Sequence, residues 1–131
     1  MLNALLMAFN SNRYHLSKEQ TELMRNKRDR LRGKIIDLLE KENAVLILPT
    51  WAHTPMFRGY AAWSNDDLTY TAIWNILSLP ALQCPTGLSR NGLPTGMQIV
   101  GAPKSEKTLI QVGKYIGEYF GGWQAQWAKG Q

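Results

Sequence analysis

The stretch from Leu79 to Gly101, LPALQCPTGLSRNGLPTGMQIVG, limits what this chain can fold into more than any other. Two apolar runs, ALQC and GMQIV, flank RNGLP. Asn-Gly between such runs is the strongest short signal for a β-hairpin. A short strand, a turn at Asn91-Gly92 and a returning strand are therefore expected. The same stretch holds the single cysteine, three of the six prolines and four of the eleven glycines.

Around this hairpin the sequence reads as helices and one further strand. Ser17-Lys18-Glu19-Gln20 has the form of a capping box, so a long helix should start there. Leu23, Leu31, Ile35, Leu38 and Leu39 recur at helical steps and form its expected apolar face, and Asn43 is a left-handed stop. AVLILP, closed by Pro49, is a continuous apolar run and reads as a buried strand. Residues 50 to 69 read as a loop, broken by Pro55, Gly59 and SNDD. Ser64 or Asn65 then caps a helix carrying Tyr70, Ile73, Trp74 and Leu77, with Asp66 and Asp67 in its first turn and Pro80 ending it. Ser105 caps a last helix with Leu109, Val112, Ile116 and Phe120 on its apolar face, stopped by Gly121-Gly122. A helix passing directly into an apolar strand points to an α/β layer.

The chain is the size of one domain, 131 residues, with a globular balance of 44% hydrophobic and 19% charged residues. One cysteine excludes an internal disulfide and gives no metal framework. The net charge of +5 lies in one segment: Arg13 to Lys34 holds eight basic and three acidic residues, and the remainder cancels. Such a helix is most often a solvated face, although it could meet nucleic acid or an anionic membrane. Leu2, Leu5, Leu6 and Phe9 suit a short amphipathic helix, in an apolar run too short to span a bilayer. The start lacks the charged n-region and cleavage site of a signal peptide.

No complete catalytic constellation is legible. A cysteine nucleophile needs a base and a lowered pKa. His15 and His53 are the only histidines, Pro85 follows Cys84 directly, and a buried thiol is the expected state. A metal site would need His15, His53, Cys84 and an acid to converge, and no pair has ligand spacing, so neither metal nor cofactor is expected. The glycines match neither the dinucleotide nor the P-loop pattern, and there is no G-x-S-x-G.

The residues from Tyr70 to Trp123 resemble the C-terminal end of amidase-signature hydrolases. The family's pattern is carried by Thr71, Asn75, Leu79-Pro80-Ala81, Pro85-Thr86-Gly87 and Gly92 to Gly101, with AVLILPT upstream. CPTGL and FGGW are similar to the fatty-acid amide hydrolase 2-like branch in particular. The resemblance is best over 34–123 and weak over 1–33, an N-terminal helical segment.

The resemblance implies an α/β fold, a partial amidase-signature fold in which C-terminal helices pack on part of a mixed β-sheet. It also implies amide hydrolysis by a serine nucleophile, a second serine in a cis peptide and a lysine base, all upstream of this region. Ser64, Ser78, Ser89 and Ser105 match none of those positions, and Lys18 and Lys34 have no serine partner at the family's spacing. The chain is thus expected to be a C-terminal fragment, inactive alone, that supplies scaffold and acyl-pocket wall. The alternative is a non-catalytic binding module acting through the basic helix 17–42.

Where glutamine-using members carry an acid three positions before the threonine, this chain has Leu68, which suits an apolar substrate. By resemblance Leu68, Tyr70, Trp74 and Asn75 are substrate-binding candidates, with Trp51 and Phe57 as further wall; ordinary core is the competing reading of the same residues. The partners implied are a fatty-acyl amide in a full-length context and a membrane surface, at an intracellular location, with no nucleic acid. Uncovered strand edges and helix faces add an expectation of marginal stability and self-association.

Overall fold

A computed structural model describes residues 17–53 and 69–121. The order of elements is α1 (Lys18–Lys41), β1 (Leu46–Pro49), α2 (Thr69–Ile76), β2 (Ala81–Leu88), β3 (Pro94–Val100) and α3 (Glu106–Tyr119). The three strands form one sheet in the order β1-β3-β2, and both pairings are antiparallel, so no parallel pair of a mixed sheet occurs among the described residues.

The hairpin forms as the Asn-Gly signal requires, but with a longer first arm. β2 continues past Cys84 through Pro85 to Leu88, and its register shifts between Pro85 and Gly87. Pro85 lacks an N–H and is tolerated because β2 lies at the sheet edge. Gly87 takes φ 115 at the bulge, a conformation open to glycine. At the turn, Gly92 donates to the Ser89 carbonyl at 2.9 Å and takes φ 74. Asn91 stays on the ordinary side of the map, so the left-handed requirement falls on Gly92.

α1 opens on the expected capping box. The Gln20 N–H donates to Ser17 Oγ at 3.1 Å and the Ser17 N–H donates to Gln20 Oε1 at 3.0 Å. It ends as expected at Asn43, φ 47, with the Ala44 N–H bonded back to the Leu39 carbonyl at 2.9 Å. α2 ends in the same way, at Ser78 with φ 50, two residues before Pro80. The Leu79 N–H then reaches the Trp74 carbonyl at 3.0 Å. The helix stop is therefore a left-handed serine and not the proline.

Side chains from the two faces of the sheet enter two cores. On one face Cys84, Ile99 and Leu82 pack against Leu109, Val112 and Ile116 of α3. On the other, Val100, Leu46 and Leu48 pack against Ile35 and Ile36 of α1, Ile73 and Trp74 of α2, and Leu77 and Leu79 just after it. The sheet is thus sandwiched between α3 and the α1–α2 pair. Arg32 joins α1 to α2: its Nε donates to the Leu77 carbonyl at 2.9 Å, placing a cation at the C-terminal end of α2. This one basic residue has a structural partner on the domain body and is not merely solvated.

Several expectations are corrected. Among the described residues β1 is an edge strand, not a buried one: Ile47 is 54% exposed, because α3 lies mainly over β2. Leu23, Leu31 and Leu38 stay about half exposed, since α1 meets the described sheet-side core through Ile35 and Ile36, and Leu39 is its buried residue. Phe120 is likewise exposed, with an edge-to-face contact to Tyr119. Ser105 occupies the N-cap of α3 without a side-chain cap bond, because ψ 15 is not the extended backbone that aims the hydroxyl at the first turn. The short helix around Leu2 to Phe9, the Ser64/Asn65 cap and Leu68 lie outside the described residues.

Candidate functional site

The most constructed polar feature is on the face of the sheet that carries α1 and α2. Gln98 sits in the central strand, 4% exposed, inside the apolar run MQIV. A buried amide must find partners. Its Nε2 donates to the Pro49 carbonyl at 3.0 Å and to the Tyr70 carbonyl at 2.9 Å. One side chain therefore ties the end of β1 and the first turn of α2 to the middle of the sheet.

Beside it on the same face, Gln83 of β2 lies opposite Gln98 in register. Its Oε1 accepts from the Thr50 hydroxyl, just past β1. Gly96 leaves room for the Gln83 side chain, and a Cβ at that position would also come within 2.9 Å of the Cys84 carbonyl oxygen. Thr50, Gln83 and Gln98 thus form a polar row across all three strands, bordered by the start of α2.

The candidate substrate-binding residues divide. Trp74 is half-buried, packed on Leu77, Leu79 and Val100, and its Nε1 is buried with no hydrogen-bond partner among the described residues. Tyr70, held through its backbone by Gln98, is 40% exposed at the rim. Asn75 is exposed and lies off the Ile73–Trp74–Leu77 face that meets the sheet. Trp51 is half-buried; Leu68 and Phe57 lie outside the described residues. Tyr70 and Trp74, four residues apart, share one side of α2, and Asn75 lies off it.

Cys84 is a member of the α3-side core, 4% exposed. Burial pushes its thiol pKa above the ordinary 9.0, opposite to what a nucleophilic thiolate requires. Gly113 of α3 packs over it: a Cβ there would lie 3.4 Å from Cys84 Sγ and 2.5 Å from Leu82 Cδ2. Of the described serines, Ser17 and Ser89 accept from the local N–H groups of Gln20 and Leu93. Ser105 Oγ is buried without a hydrogen-bond partner among the described residues. No group of His, Cys, Asp and Glu suited to a metal ion occurs among the described residues, and no helix there is long and apolar enough to cross a membrane.

Gln98, Gln83 and Thr50 were not singled out from the sequence. The signal for Gln98 was present: a polar residue inside an otherwise apolar strand run has to be paired when the strand is central.

Comparison with known proteins places this arrangement. Residues 1–110 match the family model described as Amidase. The chain is 32% identical over 112 residues to human fatty-acid amide hydrolase 2, covering 82% of this chain and 20% of that protein. It is 33% identical over 114 residues to fatty-acid amide hydrolase 2-B of Danio rerio, covering 83% of this chain and again 20% of the relative. The chain therefore spans about a fifth of the length of these relatives. Among solved structures, 6-aminohexanoate cyclic dimer hydrolase superposes with a TM-score of 0.71 at 22% identity, covering 92% of this chain and 28% of that one. Kluyveromyces lactis allophanate hydrolase gives 0.65 at 27% identity, covering 79% and 17%. With the sheet, its flanking helices and the signature residues all in agreement, the chain belongs to the amidase family.

Proposed function

We propose that this chain supplies scaffold and one wall of an amide-hydrolysing site, and that the nucleophile and base come from amidase sequence outside it. The observation that carries this reading is the similarity to fatty-acid amide hydrolase 2 over 82% of the chain but only 20% of that enzyme. The described side chains agree with it. Ser17 and Ser89 are bonded to their own turns, and Cys84 is buried as a neutral thiol.

The wall is α2. Gln98 fixes its first turn, so the partly exposed Tyr70 presents an aromatic edge beside the polar row of Thr50, Gln83 and Gln98, while Trp74 packs inward on the same helix. An aromatic edge next to a few fixed polar groups suits an apolar acyl chain attached to an amide. Leu68, in place of an amine-binding acid, favours a fatty-acyl amide over a substrate with a charged amine.

The test is direct. The purified 131-residue chain is incubated with a long-chain primary amide and with a fatty-acyl anilide, and product is measured by mass spectrometry and absorbance. No turnover is expected. Turnover that survives replacement of every serine by alanine would overturn the reading, as would turnover abolished by Cys84→Ser.

A further inference from the structure

The exposed side of α1 carries a second periodicity. Met24, Leu31 and Leu38 recur every seven residues, and Lys27, Lys34 and Lys41 recur every seven between them. A seven-residue repeat keeps its members in one seam along a helix. The three apolar side chains are 51%, 43% and 51% exposed, and the lysines are exposed as well. None of the six belongs to either core, and Ile35, Ile36 and Leu39 face the domain body from off the seam. Leu23, also half exposed, borders the seam.

We propose that this seam is an interface between two copies of the chain, with their α1 helices packed antiparallel. The charge pattern selects the orientation. In a parallel, in-register pair each lysine meets its own copy at three levels, and like charges in the seam oppose association. In the antiparallel pair the two sets interleave. Met24 meets Lys41 of the second copy, Leu31 meets Lys34, and Leu38 meets Lys27, each contact occurring twice. The four-carbon stem of each lysine covers an apolar side chain while its ammonium reaches water. The same alignment sets Arg30 two residues, about 3 Å along the axis, from level with Asp37 of the second copy, within side-chain reach and again twice, so that border is complementary. It also lays the free first half of each α1 along the other's second half. An anionic membrane fits less well, because Asp37 would face the headgroups.

The experiment is sedimentation equilibrium on the 131-residue chain across a concentration series. A concentration-dependent dimer is expected. Lys34→Leu places leucine against Leu31 of the second copy at both central levels and should tighten dimerisation about tenfold or more. Leu31→Lys places lysines together there and should weaken it about tenfold or more. Both positions are exposed, so circular dichroism of the variants should match the parent. Orientation is read by oxidation: the double variant Lys27→Cys with Leu38→Cys should form disulfides between copies, located by mass spectrometry, while Lys27→Cys alone should form none. A chain that stays monomeric overturns the proposal and leaves the seam to a longer amidase polypeptide or, if the chain sediments with phosphatidylserine vesicles, to a membrane. A dimer unchanged by Leu31→Lys also overturns it and points to the β1 edge. The proposal rests on α1 alone, so loss of the amide-hydrolase reading would not affect it.

Discussion

Replacing Gln98 by leucine should destabilise the fold by about 2 to 3 kcal/mol. The side chain is 4% exposed and makes two hydrogen bonds, to the Pro49 and Tyr70 carbonyls at 3.0 and 2.9 Å. Each such bond contributes about 1 kcal/mol net, and a carbonyl left unpaired where water reaches it poorly adds to that loss. Leucine offsets part of that by removing a buried amide. Against a total stability of about 5 to 15 kcal/mol this is a large fraction. The urea midpoint should fall by roughly 1 M or more.

Gln98→Glu separates the hydrogen-bond argument from packing, because it keeps the shape and inverts the role. An ionised carboxylate cannot donate, and here it would face two carbonyl oxygens. Its folded-state pKa must therefore rise above the unfolded value of about 4.3. For a group with a raised folded pKa, the associated stability is present below the unfolded pKa and is lost as pH rises through the folded one. The variant should thus be closest to wild type near pH 4 and fall furthest below it at pH 8, where it should be worse than Gln98→Leu. Chemical denaturation at both pH values, each referenced to wild type, measures this. Equal midpoints for all three proteins at pH 8, or a Gln98→Glu deficit that grows on acidification, would refute the reasoning.

Cys84 and Ser17 give two further checks. Because burial raises the Cys84 pKa above 9.0, native protein should react with iodoacetamide far more slowly than urea-unfolded protein, as followed by mass spectrometry, and stability should decline as the pH climbs from 9.0 through that raised value. Ser17→Ala removes a capping-box acceptor worth about 1 kcal/mol to the helix end. Since the start of α1 is exposed, the loss should appear as faster amide exchange over the first turn, with the global unfolding midpoint nearly unchanged.

How far the sequence revealed these features depends on the range of the interactions involved. The capping box at Ser17, the left-handed stop at Asn43 and the Asn91-Gly92 turn are set by neighbours a few residues apart, so they could be read from short windows. The position of β1 could not. AVLILP is apolar on both faces, which suits a central strand, yet its place at the edge depends on β3 pairing across some fifty residues of chain. The long helix shows the same limit. Its apolar spacing was legible, but which of Leu23, Leu31, Ile35, Leu38 and Leu39 would pack depended on where the sheet meets it. At the candidate site, the family's motif located α2. It did not distinguish Trp74, which packs inward, from Asn75 one residue later, which faces out. Gln98 became a clamp only once β1 and α2 had been brought to it.

The strand order also sets a timetable for synthesis. β3 is the only described partner of both β1 and β2, and it is the last of the three to leave the ribosome. The hairpin partner β2 waits only a few residues. β1 waits through α2 and all of β2, with its apolar run unpaired on both sides. During that interval the growing chain carries a sticky, unsatisfied strand that no local rearrangement can bury, and nascent copies on neighbouring ribosomes offer it the wrong partner. Expression at lower temperature or with a bound holdase should raise the soluble yield of this chain more than changes near the hairpin would.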